Sequence, residues 1–187
     1  MKRRAKVMRR FFILSILLLC IIFFTGCAAH LKNPVDNTRS LVYGYMDMQK
    51  APSKMEWGTI KQMKPKTDKP YWSMGTNGKG VFWHEQLPPG SYMLVEFGGH
   101  SMLRNANYTY NMPEYGKNET AVVIKNPGLY YLGTYQYQKG GSFFNPQFDI
   151  VSVDSPNEKE VLELLLPLSN DTEWEKRIEY RIGELEK

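Results

Sequence analysis

The sequence predicts a mainly β protein, an antiparallel β-sandwich with two α-helices at its C-terminus. Three observations carry that reading. Nine short runs rich in aromatic and β-branched residues lie between Ser40 and Val153 and are separated by turn formers. The apolar period changes from strand-like to helical after Ser155. Past Cys27 the chain holds no cysteine, so packing rather than disulfides must hold the body together, and thiol chemistry is excluded there.

The elements follow in order. Residues 1–10 carry Lys2, Arg3, Arg4, Lys6, Arg9 and Arg10 with no acid, and Phe11 to Phe24 then run apolar but for Ser15. This is the charged-then-apolar-then-small pattern of a secretory signal peptide. Fourteen helical residues reach about 21 Å, short of the roughly 30 Å hydrocarbon core, so the run spans a bilayer poorly. Phe24-Thr25-Gly26-Cys27 resembles the lipobox of bacterial lipoproteins. That resemblance implies cleavage between Gly26 and Cys27, a diacylglyceryl group on the Cys27 thiol and an N-acyl chain, with no other cofactor expected. Two or more acyl chains give stable membrane residence. Ala28, standing where Asp would favour the inner membrane in the Gram-negative sorting rule, points to an exported protein anchored in the outer rather than the inner membrane.

Lys and Arg number 24 against 19 Asp and Glu. The six cations of the leader account for that excess, and without them the body is one unit negative. No electrostatic footprint for nucleic acid remains. Residues 27–39 read as the lipidated cysteine and a polar tether containing Pro34, residues 40–153 as the sandwich, and residues 154–187 as a helical segment packed on it.

The strand candidates are Leu41 to Met48, Glu56 to Met63, Tyr71 to Met74, Val81 to Glu85, Ser91 to Phe97, Tyr108 to Asn111, Ala121 to Lys125, Leu129 to Gln136 and Phe148 to Val153. Asn77-Gly78 favours a tight turn with positive φ, and Pro89-Gly90 and Pro127-Gly128 suit type II turns. Ser155, with Pro156 next and Glu158 three residues on, reads as the cap of a first helix that runs through Val161, Leu162, Leu164, Leu165 and Leu166 and stops before Pro167. A second helix, capped by Asp171 or Thr172, repeats Trp174, Ile178, Ile182 and Leu185 at helical spacing.

The segment Gly80 to Leu94 (GVFWHEQLPPGSYML) resembles the hallmark of carboxypeptidase regulatory-like and related prealbumin-like β-sandwich domains, with His84 where those domains usually carry an apolar residue. The resemblance implies the sandwich and a scaffold or binding role; it implies no activity. Alternation through a central hairpin places Phe82, Tyr92 and Leu94 on one face. It places Val81, Trp83, Met93, Val95 and Phe97 on the other, which the two helices are expected to cover.

No metal site is expected. The histidines are His30, His84 and His100, and His84 and Glu85, adjacent on a strand, point to opposite faces. His84 reads as a core-side histidine bonded to a neighbour. The aromatics are the remaining clue: Tyr71 with Trp72, and Tyr108 with Tyr110, lie beside polar loops and are the candidates for stacking on a ligand. The sequence therefore supports a lipid-anchored, non-enzymatic envelope lipoprotein acting as a scaffold or binding module, its partner an envelope protein or a glycan. The alternatives are a glycan- or peptidoglycan-binding lipoprotein and, behind it, a hydrolase whose acids converge from distant strands.

Overall fold

The computed structural model describes residues 30–112, 121–142 and 145–187, so the leader, Gly26 and Cys27 lie outside the described residues. Among those described, nine strands follow the nine runs: β1 (Ser40–Asp47), β2 (Trp57–Lys64), β3 (Tyr71–Thr76), β4 (Val81–Leu87), β5 (Gly90–Ser101), β6 (Ala106–Asn111), β7 (Ala121–Ile124), β8 (Leu129–Ser142) and β9 (Asn145–Ser152). Helix α1 (Glu158–Leu165), a 3-10 turn (Leu166–Leu168) and helix α2 (Glu173–Leu185) close the chain.

The strands form one curled sheet in the order β6-β5-β2-β3-β4-β1-β8-β9, with β7 beside β6 on β5. The sheet turns its corner within β3. Tyr71 to Met74 pair with β2, whereas Gly75 and Thr76 pair with Trp83 and Phe82 of β4. At Gly75 a Cβ would meet the Trp83 ring at 2.8 Å, so the corner needs a residue without a side chain. The expected all-antiparallel pairing has one exception, since β1 and β8 run parallel. They can do so because the long excursion from β2 through β7 lies between them.

Pro88-Pro89-Gly90 does not close a hairpin, which corrects the sequence reading. Strand β4 pairs with β1 and β3, and β5 pairs with β2, β6 and β7, so the turn carries the chain from one layer to the other. Two prolines without N–H groups cannot extend a ladder, and Phe82 and Leu94, each fully buried, reach the same interior from opposite layers. The Tyr92 hydroxyl closes the crossover by donating to Pro88 O at 2.8 Å.

Two apolar cores result. The central one lies between the layers and contains Val42, Met46, Ile60, Phe82, Leu94, Phe97 and Leu132. The outer one lies between the β1–β4 face and the helices, where Leu41, Tyr43, Val81 and Trp83 meet Val161, Leu162, Leu165, Trp174 and Ile178. Strand β1 is buried on both faces, which explains why its sequence does not alternate with polar residues. The helices thus cover Val81 and Trp83 as expected, but not Val95 or Phe97. Strand β5 sits in the other layer. A bulge at Val95, where Thr59 pairs with Glu96 and Ile60 with Leu94, also turns Phe97 inward.

The helix ends differ in detail from the sequence reading. Asn157, not Ser155, caps α1: its side chain accepts from the Glu160 amide at 3.1 Å, and Glu160 Oε2 accepts from the Asn157 amide at 2.7 Å. Thr172 occupies the cap position of α2 without a side-chain cap bond. Instead Asn33 Oδ1, 140 residues earlier, accepts from the Glu173 amide at 2.8 Å. The stretch read as a tether is therefore docked from its third residue onward. Leu31 is 1 % exposed in the outer core and its amide donates to Leu168 O at 2.8 Å. Lys32 O accepts from the Trp174 indole at 3.0 Å, and Gln86 Nε2 donates to Asn33 O at 2.7 Å. A buried leucine and these satisfied polar groups outweigh the segment's polar composition.

Candidate functional site

The aromatic end of the sandwich gathers the rings most able to meet a ligand. Tyr108 and Tyr110, two apart on β6, share a face as alternation predicts, and their rings stack at 6.3 Å and 15°. Tyr110 also stacks on Phe97 at 5.1 Å. It meets Tyr137 of β8 and Phe148 of β9 edge-on at 5.5 and 5.0 Å. Tyr137 and Phe148 stack with their ring planes nearly parallel, 9° apart, and their centres 5.9 Å apart. These rings bridge the two ends of the curled sheet, where β6 faces β8 and β9 without pairing to them.

Burial divides the group. Tyr110 and Tyr137 are enclosed, and burial pushes both phenols above their ordinary pKa. Tyr108 is half-buried, with its hydroxyl accepting from Arg104 Nη1 at 3.3 Å, and Phe148 remains 38 % exposed. The shared face of Tyr108 and Tyr110 is thus an inner face that opens at its rim. The sequence reading missed Tyr137 and Phe148, which come from strands nearly 30 and 40 residues downstream. Their alternation on β8 and β9 was visible, but nothing local shows which strand they oppose.

Tyr71 and Trp72 do not form one platform. As neighbours on a strand they point to opposite faces. Tyr71 is 59 % exposed with Lys61 Nζ 5.3 Å from its ring centre. Trp72 packs against the central core, edge-on to His84 at 5.4 Å and 88°, with its indole N–H enclosed and unbonded. His84 Nδ1 accepts from the Gln86 amide at 3.0 Å, as expected of a core-side histidine, and burial pushes its pKa down to about 4.

The other two histidines are separate. His100 Nδ1 meets Asn107 Oδ1 at 3.0 Å, and His30 Nε2 donates to Asn170 O at 2.9 Å. Among the described residues, no group of three or more potential metal ligands converges, and no helix is long and apolar enough to cross a membrane.

A cleft of about 700 Å³ runs between α2 and the Pro127–Leu129 turn, past Lys176, Arg177, Tyr180 and Arg181. Two of its three cations have structural partners. Arg177 lies 4.8 Å from the Trp174 ring and 3.5 Å from Glu173. Arg181 donates to both oxygens of Glu158, at 3.0 and 3.2 Å, and Glu158 also accepts from the Tyr43 hydroxyl at 2.8 Å. The ion pair ties α2 to α1 and β1, and burial together with Glu158 holds the Tyr43 phenol far above its ordinary pKa.

No protein-family model matches the chain, and comparison with curated proteins and with solved structures finds no match.

Proposed function

We propose that the protein is a lipid-anchored lipoprotein of the cell envelope, exported by its leader, acylated on Cys27 and acting as a non-enzymatic binding module. One observation carries the reading. Six cations, a fourteen-residue apolar run and the lipobox-like Phe24-Thr25-Gly26-Cys27 stand in that order ahead of the β-sandwich body, the arrangement of a cleaved and acylated lipoprotein leader. The likeness of the Gly80 to Leu94 segment to prealbumin-like domains agrees with a scaffold that presents loops and edges. The presenting element is the aromatic end, where Tyr108 and Phe148 offer ring surface while Tyr110 and Tyr137 hold them in place. A partner with apolar or flat rings, whether protein side chains or sugar, fits that chemistry.

The test is the covalent state of the exported protein. The wild type should partition into detergent and carry an N-terminal mass increase that matches acylation, and Cys27→Ala should accumulate as an unprocessed precursor. A mature protein that is unmodified and begins elsewhere would overturn the proposal.

A further inference from the structure

We infer that the anchored protein lies with its helical layer against the bilayer, the surface around Lys32, Leu164, Pro167 and Asn170 facing the lipid headgroups. The inference rests on the lipidation of Cys27 proposed above and turns on how little chain separates that residue from the fold. From Cys27 to Leu31 there are four Cα steps, which reach no more than about 14 Å when fully extended. Leu31 offers no slack, because its side chain is buried and its amide is bonded to Leu168 O at 2.8 Å. The next two residues are fixed by the Trp174 indole and the first amide of α2. A body of this length has a radius of gyration of about 15 Å and is roughly 40 Å across. The leash is thus shorter than the body it holds, and the body cannot turn its far side to the membrane.

The exit point suits a lipid surface. Beside Leu168, Pro167 is exposed and Leu164 is 44 % exposed, apolar groups that can enter the headgroup zone, while Lys32 is an exposed cation within reach of phosphates. Of the nearby acids, Glu163 and Glu173 are paired with Lys159 and Arg177, each at 3.5 Å, and Glu85 accepts from the Lys32 amide at 3.4 Å. Asp171 beside Asn170 is exposed, which favours the apolar groups and Lys32, rather than net charge, as the lipid contacts. The β5–β6 turn lies in the opposite layer, beyond both cores, with Met102 and Leu103 at 90 and 100 % exposure. On this geometry that turn points away from the anchoring bilayer, towards partners in the surrounding space.

The experiment uses the full-length acylated protein in vesicles whose headgroups carry a nitroxide quencher. A fluorophore is placed by Leu164→Cys in one sample and by Leu103→Cys in another. Quenching should be several-fold stronger at position 164 than at 103, and a flexible insert of twenty residues after Ala28 should abolish the difference. Equal or reversed quenching on vesicle-bound, acylated protein would overturn the orientation while leaving the anchor intact. Failure to bind vesicles, together with a free Cys27 thiol, would overturn both.

Discussion

The helix-covered face and the aromatic end are both rich in large rings, yet they are built to different standards of closure. On the covered face Trp174, Tyr43 and Trp83 are at most 2 % exposed, the Trp174 indole donates to Lys32 O and the Tyr43 hydroxyl donates to Glu158. At the aromatic end Phe148 and Tyr108 reach the surface, and β6 faces β9 through side chains rather than a ladder. The contrast teaches that the first face is an inner layer of the fold, while the second is where the fold stops short of completing itself.

Breaking the covered face should have the largest effect. Trp174→Ala removes the largest of the fully buried side chains and an indole bond, and should cost about 3–5 kcal/mol in urea unfolding. A loss below about 1 kcal/mol would show that the helices only rest on the sheet.

Acid should sharpen the contrast from the central core. The His84 pKa is about 4 in the folded protein against an ordinary 6.5, so below pH 6.5 the unfolded chain binds a proton that the native state refuses. Stability present above pH 6.5 therefore falls as pH drops to about 4, by roughly 3 kcal/mol. His84→Gln should flatten that part of the profile. An unchanged slope in the variant would assign the acid sensitivity to other groups.

These effects show how much could be read in advance. The strands were legible because β-branched and aromatic runs punctuated by Asn77-Gly78, Pro89-Gly90 and Pro127-Gly128 need no distant information. The burial of Trp83 beneath the tail was legible too, since two apolar faces on one strand require a second cover. What could not be read is long-range: that Asn33 serves as the cap of α2, that β1 and β8 run parallel, and that a one-residue bulge at Val95 turns Phe97 to the other face. Segment composition also misled. Residues 28–39 look like linker because eleven of the twelve residues make no strong apolar pattern, and the one that matters, Leu31, is a single buried side chain. The pairing of Tyr71 with Trp72 failed for a simpler reason, because neighbours on a strand cannot share a face.

Smaller changes probe the seam between the two regions. Asn33→Ala should cost about 1 kcal/mol, the ordinary value of a helix cap, although the residue is 140 positions from the helix it caps. A neutral result would mean that Thr172 takes over the cap. Phe148→Ala should be smallest, about 1 kcal/mol or less, because the ring is already partly exposed. Combined with Tyr108→Ala, it should weaken retention on envelope partners with little change in the unfolding midpoint. A collapse in stability would place these rings in the core proper.

The most direct test of the account is native-state hydrogen exchange at the Leu31 amide and the Trp174 indole, since the docked N-terminal strap underlies both the sealed face and the short leash to Cys27. The account predicts that both exchange only through global unfolding, while amides of the Met102–Asn105 turn exchange freely. Exchange at Leu31 as fast as at that turn would show a free tether and contradict the account.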